Sequence, residues 1–174
     1  MKTRQAYFHI ETQTWRLPLT KGHEALLDEE DALWAQQWLW YSNTGYPTRN
    51  VKCQDGAKRL VRIHQEIVRR MGLPMRETVD HVNGNPLDNR RANLRTCLYR
   101  ENASNKRRAR NNKTGYTGVH WEQWHGRPGR WMVRVAHGGV VYKRRFRTFE
   151  EAVTAHREAA SKLHGEFYRE VGAA

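Results

Sequence analysis

Residues 79–102, VDHVNGNPLDNRRANLRTCLYREN, constrain the fold more than any other part of the chain. A predicted strand ends in Asp80 and His81, and the turn-forming sequence NGNPLDN follows at residues 83–89. A return strand is predicted at residues 93–95, and Thr96 has the side chain of a helix N-cap. This order predicts a β-hairpin followed by a helix that carries the last residues of the stretch.

Four polar side chains of this stretch, Asp80, His81, Asn93 and Asn102, have the chemistry of one divalent-metal site. Carboxylate and amide oxygens suit a hard cation such as Mg²⁺ or Mn²⁺, and an imidazole is the natural base near neutral pH. Neighbours on a regular strand point to opposite faces, so Asp80 and His81 can face one metal only where the strand twists or ends. The turn just after His81 favours such a change.

Positive charge is concentrated in the later part of the chain. Of 174 residues, 31 are Lys or Arg and 18 are Asp or Glu, which gives a formal net charge of +13. Residues 1–50 carry five basic and six acidic side chains, so the whole excess lies beyond them. Ribosomal and membrane-surface proteins share this balance, but a localised basic excess favours nucleic acid as the partner. Together with the candidate metal site, it indicates metal-assisted cleavage of a nucleic acid.

Cysteine usage and hydropathy exclude several classes of protein. Cys53 and Cys97 are far apart and form no CxxC pair, which excludes a structural zinc site and a disulfide framework. No apolar run is long enough to span a membrane, and the first residues lack the apolar core of a signal peptide. We expect a cytoplasmic protein with no membrane partner.

The motif resembles the HNH endonuclease family, in particular its phage and intron-encoded homing members, over roughly residues 60–106. The resemblance implies a ββα-metal fold in which Asp80 and Asn102 bind one divalent cation per chain, Mg²⁺ or Mn²⁺. It also implies that His81 is the general base and that Asn93 braces the hairpin and aligns that His. Many relatives have His at the position of Asn102, so this chain is an H-N-N variant, for which Zn²⁺ is less suitable. A phage-encoded member would act in the cytoplasm of a bacterial host.

Basic residues around the motif are candidates for DNA contacts. Arg90, Arg91 and Arg95 are expected to lie near phosphates. Residues 103–115, ASNKRRARNNKTG, have five basic residues and no acidic one, and they are predicted to form a linker. A solvated tether is one interpretation, and a tether along the phosphate backbone is favoured because both neighbouring modules resemble DNA-contacting units. The linker residues expected to bind DNA are Lys106, Arg107, Arg108 and Arg110.

The segments before the motif are predicted to be a β-rich part and the start of the nuclease core. Residues 1–57 are expected to form short strands and one helix, from Asp28 to Trp40. Trp34 and Trp38 lie four residues apart on this helix, and with Leu33 and Leu39 they favour a core stripe over a stacking platform for bases. The nuclease core, residues 58–106, is expected to begin with a strand and a short helix. His64, at the start of that helix, is predicted to be a packing or bracing residue rather than a ligand.

Residues 115–170 are predicted to form a separate unit of three antiparallel strands and a helix. The strands are expected at 118–121, 130–136 and 140–147, and the sequence TFEE at 148–151 is a capping box that starts the helix. In the second strand Trp131, Val133 and Val135 alternate with Arg130, Met132 and Arg134. This alternation predicts one packed face and one basic face.

This unit resembles the AP2/ERF DNA-binding domain in GYTGVHW at 115–121, in RWMVRV at 130–135 and in the helix run at 147–167. The resemblance implies a sheet that enters the major groove of double-stranded DNA, with the helix packed behind it. Several groove-facing positions differ in type from the plant members, so the docking mode can transfer while the base preference does not. These positions are Thr117, His120, Arg130, Arg134, Lys143 and Arg145.

The sequence thus predicts an α+β chain in which a ββα-metal (HNH) nuclease module precedes an AP2-like module. The expected function is that of a site-directed, metal-dependent DNA endonuclease of the homing type, acting as a monomer. Two alternatives stay open: a non-catalytic, sequence-specific DNA-binding regulator, and a protein that binds or cleaves RNA. The intact set of four motif residues weighs against the first, and the narrow major groove of RNA weighs against the second.

Overall fold

The computed structural model describes residues 4–104, 112 and 114–168. It divides the chain into two compact units, Met1–Leu98 and Tyr99–Ala174. Small antiparallel sheets and short helices make the chain α+β, as the sequence predicts. Among the described residues, no helix combines the length and the apolar character needed to cross a membrane.

The first unit is built from short strands and helices. Its strands are, in chain order, β1 (Tyr7–His9), β2 (Thr14–Pro18), β3 (Glu24–Leu27), β4 (Tyr41–Asn43), β5 (Tyr46–Lys52), β6 (Lys58–Arg62), β7 (Thr78–His81) and β8 (Leu94–Cys97). They form the sheets β1-β2-β3 and β4-β5-β6 and the hairpin β7-β8, all antiparallel. Helix α1 (Glu29–Ala35) follows β3, and helix α2 (Ile63–Arg70) follows β6 directly.

One hydrophobic core spans the first unit. Buried side chains of the first sheet, of α2 and of the hairpin belong to it, among them Leu17, Ile67 and Leu94. Trp34 and Trp38 pack against the same core with ring centroids 4.9 Å apart, as predicted for the core stripe. Leu33, predicted in the same stripe, is 45% exposed, and Trp38 lies beyond the end of α1. The N-terminal strands and the motif are therefore folded around shared side chains.

Helix α1 ends earlier than the sequence predicts. The expected helix runs from Asp28 to Trp40, but α1 ends at Ala35 and Gln36 is its C-cap. Trp40 is 1% exposed, and its indole Nε1 donates to the carbonyl oxygen of Ala35 at 2.9 Å. The same carbonyl oxygen accepts the backbone N–H of Trp38 at 3.1 Å, so the chain turns there, and burial of the indole adds a second hydrogen bond at the helix end.

The second unit contains a three-stranded sheet with a helix on one face. Its elements are α3 (Tyr99–Ser104), β9 (Val119–Trp124), β10 (Arg127–His137), β11 (Val140–Phe146) and α4 (Phe149–His164). The sheet is antiparallel, with β10 in the centre. Helix α4 packs on it through Ala152 and Ala160, which belong to one core with Val133 and Val135.

The two predicted helix caps have different outcomes. Thr148 caps α4 as predicted: its hydroxyl accepts from the backbone N–H of Glu151, and the Glu151 carboxylate accepts from the backbone N–H of Thr148, each at 3.2 Å. The prediction for Thr96 is wrong, because α3 begins only at Tyr99. Thr96 lies within β8, where pairing with Val79 keeps it extended.

The predicted alternation along β10 holds except at Met132. Val133 is buried on the side of α4, and Arg134 is exposed on the other face. Met132 lies on the same face as Arg134, yet only 1% of it is exposed. Its directly paired neighbours, His120 and Arg145, have large side chains on that face, and long cationic side chains cover apolar surface with their stems.

Candidate functional site

The hairpin β7-β8 holds Asp80 and His81 at the end of its first strand. Both are nearly buried, 5% and 6% exposed. The Oδ2 atom of Asp80 accepts hydrogen bonds from Nε and Nη2 of Arg95, its cross-strand partner, at 2.9 and 2.7 Å. Gly84 has φ +65° and donates its N–H to the carbonyl of His81 at 2.7 Å, so the strand ends at His81.

Asn93 connects the two sides of the hairpin loop. Its Nδ2 donates to the carbonyl of Asp88 at 2.7 Å and to Oδ1 of Asn83 at 3.0 Å, while its Oδ1 accepts from the backbone N–H of Asn83 at 2.9 Å. Its own carbonyl accepts from the backbone N–H of Val82 at 3.0 Å. A side chain that uses both its donor and its acceptor across one loop holds that loop in a single conformation.

The tip of the hairpin loop is bound to β3. The backbone N–H of Leu26 donates to the carbonyl of Leu87, and the N–H of Asn89 donates to the carbonyl of Leu26, both at 2.8 Å. Asn89 is fully buried, and its Oδ1 lies 3.2 Å from Nε2 of His81. The first sheet therefore fixes the side chain that orients His81. Sequence reasoning missed Asn89, although a buried amide inside the motif is the kind of residue that orients an imidazole.

His64 and Tyr46 form an aromatic wall beside His81. The His64 ring lies 5.0 Å from that of His81 at an interplanar angle of 80°, and the Tyr46 ring lies 5.5 and 6.2 Å from the two His rings. His64 is 4% exposed, and its Nδ1 has no hydrogen-bond partner among the described residues. Sequence reasoning assigned no role to Tyr46, which comes from the separate strand β5.

Burial keeps both imidazoles of this wall neutral at pH 7. It lowers the pKa of His64 to about 3, with smaller contributions from the neighbouring His81 and Arg62. It also lowers the pKa of His81, which the hydrogen bond to Asn89 and the nearby carboxylates oppose. A neutral imidazole has a lone pair, so His81 can accept a proton at neutral pH.

Arg90 and Arg95, two of the predicted phosphate contacts, pair with carboxylates of the hairpin. Arg90 binds Asp88 in a bidentate manner, with Nε and Nη2 at 2.8 and 2.7 Å from its two oxygens. Arg95 binds Asp80 as described above. These pairs balance two nearly buried carboxylates, and the expected contacts of both arginines with DNA stay predictions.

Arg91, the third of these residues, is bound to the start of α1. Its Nε donates to Asp31 at 2.7 Å, and its backbone N–H donates to Oδ2 of Asp28 at 2.7 Å. Asp31 is fully buried and also accepts from Nε of Arg70 on α2 at 2.8 Å. A buried carboxylate between two arginines thus links α1, α2 and the hairpin.

The hairpin and its surroundings are similar in sequence to known proteins. A family model described as HNH endonuclease matches residues 61–104. Protein 3.8 of Escherichia phage T7 is 32% identical over 97 residues, which cover 56% of this chain and 78% of that protein. Residues 61–104 therefore form an HNH endonuclease domain, and the chain belongs to the same family as that phage protein. No solved structure matches it.

The HNH match contains His64, His81, Asn89 and Asn93, whereas Tyr46 lies before it. Asn102, the second predicted metal ligand, lies on α3 in the second unit and is partly buried. Within residues 4–104, 112 and 114–168, no group of three or more His, Cys, Asp or Glu side chains is placed to hold a metal ion. The pairing of Asp80 with Asn102 stays a prediction.

Beyond the HNH match, the register of the second sheet places five of the six predicted groove-facing residues on the face opposite α4. They are His120, Arg130, Arg134, Lys143 and Arg145. Thr117 is exposed in the turn before β9. Lys106, Arg107, Arg108 and Arg110 lie outside the described residues.

Sequence reasoning missed an acidic residue on this basic face. Glu122 lies directly opposite Arg130, and its carboxylate is 2.9 Å from Nε of Arg145 and 3.6 Å from Nε2 of His120. The guanidinium of Arg145 also lies 4.8 Å from the ring centroid of Trp124. One strong cation of the face is therefore held by neighbours, whereas Arg134 and Lys143 stand opposite each other and are exposed.

Proposed function

We propose that this chain is a metal-dependent DNA endonuclease of the homing type in which His81 is the general base. The observation that carries the proposal is the buried, neutral imidazole of His81, oriented by Asn89 inside the HNH match. A positioned base of this kind accelerates hydrolysis by ~10²–10⁴. The bond broken is a phosphodiester, and the nucleophile is the water that His81 deprotonates.

The hydrogen bonds of Asn89 favour one ring nitrogen of His81 as the proton acceptor. The Nδ2 atom of Asn89 donates to the carbonyl of Pro86 at 3.2 Å, so its Oδ1 is the atom that faces His81. An amide oxygen accepts, so the neutral imidazole has its proton on Nε2 and its lone pair on Nδ1. Nδ1 is therefore the atom that takes the proton from water.

Asp80 and Asn102 are the residues that would hold a divalent cation, Mg²⁺ or Mn²⁺. The donor set fits such an ion, because Asp80 supplies a carboxylate, Asn102 supplies a neutral amide oxygen, and Mg²⁺ commonly takes its remaining ligands from phosphate and water. When bound, the cation polarises the scissile phosphate and stabilises the departing 3′ oxygen. Arg95 balances the charge of Asp80 at 2.7 Å and keeps its carboxylate oriented.

The second unit is proposed to hold the target as double-stranded DNA. Its sheet face opposite α4 carries the exposed cations Arg134 and Lys143, and the resemblance to the AP2/ERF domain aims that face at the major groove. One HNH motif per chain favours a monomer that cuts one strand at a time. Lys106, Arg107, Arg108 and Arg110 would add further phosphate contacts.

Cleavage of supercoiled DNA tests the proposal. The wild-type protein is expected to nick the plasmid with Mg²⁺ or Mn²⁺ and to leave it intact with chelator. His81→Ala should reduce the rate ~10²–10⁴-fold without loss of DNA binding, because it removes only the base. His125→Ala, at an exposed His in the turn after β9, is the matched control and should cut at the wild-type rate.

Two outcomes would contradict this assignment. Cleavage by His81→Ala at the wild-type rate would exclude His81 as the base. Tight DNA binding with no cleavage by the wild-type protein, at any divalent cation concentration, would instead identify a non-catalytic DNA-binding regulator.

A further inference from the structure

One face of the β4-β5-β6 sheet leads directly to His81. Residues paired across β5 and β6 share a face, and this face carries the buried Thr48 together with Tyr46, Asn50, Lys52, Lys58, Leu60 and Arg62. We call it the Tyr46 face. The guanidinium of Arg62 lies 5.4 Å from the Tyr46 ring centroid, and that ring lies 6.2 Å from the His81 ring. A row of side chains thus runs from the far end of the sheet to the general base.

The Tyr46 face carries cations that the first unit does not neutralise. Lys52, Lys58 and Arg62 are exposed, and within residues 4–104 no carboxylate forms an ion pair with any of them. Lys52 and Lys58 are directly opposite each other in the register. Like charges in that position destabilise a sheet, so the arrangement suits a surface that receives an anion.

The arginines of the motif, unlike the cations of the Tyr46 face, are already paired with buried carboxylates. Arg90, Arg91 and Arg95 each bind a carboxylate that is at most 5% exposed. Moving such an arginine to a phosphate would leave a buried carboxylate without its cation, which is strongly unfavourable. The Tyr46 face has no such penalty, so it is the better anion-binding surface next to His81.

We propose that the Tyr46 face binds the phosphate backbone of double-stranded DNA and delivers the scissile phosphodiester to His81. Arg62, held against Tyr46, binds the phosphate nearest the base, and Lys58 and Lys52 bind phosphates farther along the same strand. The span from residue 58 to residue 62 on a β-strand is roughly 13 Å. That length lets Arg62 and Lys58 bind different phosphates of one DNA strand. The proposal rests on the endonuclease function proposed above.

The test compares two triple variants with the same change in charge. The face variant is Lys52→Gln, Lys58→Gln and Arg62→Gln. The control variant is Lys21→Gln, Arg59→Gln and Arg69→Gln, at exposed cations of the same unit that lie off the Tyr46 face. Affinity for a duplex DNA is measured by fluorescence anisotropy over a range of salt concentrations, in chelator so that no cleavage occurs.

Each lost phosphate contact should reduce the slope of log affinity against log salt by about 0.9. We expect the face variant to lose about 2 to 3 units of slope and the control variant less than about 0.5. In Mg²⁺ the face variant should raise KM for cleavage far more than it lowers kcat. Arg62→Gln alone, which changes the fewest side chains, should lose about one unit if the triple variant does not fold.

Equal slopes for the face and control variants would overturn the proposal. A slope lost on duplex RNA and retained on DNA would show that the face binds RNA, and would overturn it as well. Because the slope is measured without cleavage, it does not depend on the nuclease activity. If the wild-type protein binds DNA through this face but never cuts, the proposed function fails while the binding face stands.

Discussion

In the first unit Arg70 and Arg91 both donate to the buried carboxylate of Asp31, whereas in the second unit Arg134 and Lys143 lie side by side on an open sheet face. The first arrangement joins three elements around a charge that water does not reach. The second leaves its charge to the solvent, and the unit is stabilised by Val133 and its apolar neighbours under α4. The difference teaches that an arginine near a motif can serve the fold by binding a buried carboxylate. The burial of its carboxylate partner decides its role.

The largest expected effect on stability comes from removing the two cations that bind Asp31 in the first unit. Replacing Arg70 and Arg91 with Met leaves Asp31 buried without a cation, which should lower the free energy of unfolding by about 3–5 kcal/mol. Urea unfolding, followed by hydrogen exchange of peptides from residues 1–98, measures the change. Replacing Arg134 and Lys143 with Met is the matched control and should change stability by less than about 0.5 kcal/mol. Equal destabilisation by the two pairs would contradict the comparison.

The next effect is a pH dependence that the buried His64 gives to the first unit. In the unfolded chain His64 has its ordinary pKa of 6.5, and in the folded chain its pKa is about 3. As the pH falls below 6.5 the unfolded chain takes up the proton first, so stability is lost progressively down to about pH 3. Between pH 7.5 and 5 the loss should be roughly 2 kcal/mol, at 1.36 kcal/mol per pKa unit.

His64→Phe should remove that part of the pH dependence. Unfolding of the wild type, of His64→Phe and of the exposed-site control His125→Phe at pH 7.5 and 5 gives the comparison. The stability of His64→Phe should fall roughly 2 kcal/mol less than that of the other two proteins. An equal fall for all three proteins would mean that His64 takes up no proton on unfolding.

A smaller effect concerns the second unit, where local structure stabilises α4. Thr148→Ala removes the capping box and should lower the stability of the unit by about 1 kcal/mol. Hydrogen exchange of peptides from residues 149–164 measures the loss. Thr154→Ala, at an exposed position inside the same helix, should leave exchange unchanged or slow it slightly, because Ala favours helix. If the two variants exchange alike, the cap does not stabilise the helix.

The smallest expected effect on stability comes from Glu122 on the open sheet face. Glu122→Gln removes an exposed ion pair with Arg145, and exposed pairs contribute little, so the melting temperature should not change measurably. DNA binding should tighten, because an acidic group leaves a basic surface. Anisotropy at low salt measures this gain, and weaker binding would mean that Glu122 positions Arg145 for the contact.

The sequence predicts those features that depend on near neighbours in the chain. The turn letters after His81 give the hairpin, and the spacing of Thr148 and Glu151 gives the cap of α4. It does not predict features that join distant residues. The bonds from Leu26 to the hairpin loop and the indole of Trp40 that ends α1 require the folded chain.

The candidate site likewise contains residues that the sequence predicts and residues that it misses. The sequence marks His81 and Asn93 through the motif, because their spacing is local. It misses Asn89 and Tyr46, whose contacts with His81 depend on the docking of the loop and on a separate sheet. It also misses the carboxylate partners of Arg90, Arg91 and Arg95, since those partners become visible only after folding. The predicted phosphate contacts of these arginines stay predictions.

The docking of the hairpin loop on Leu26 has a consequence for how such a nuclease can be recombined. A motif that takes its loop geometry from a strand more than 50 residues upstream is not a cassette that can be moved alone. A chimera that joins residues 61–104 to a foreign N-terminal part would lose the backbone partner of Asn89, and with it the orientation of His81. Exchange between chains that preserves cutting must therefore carry β3 together with the hairpin, and it must extend past the first unit into α3 to keep Asn102.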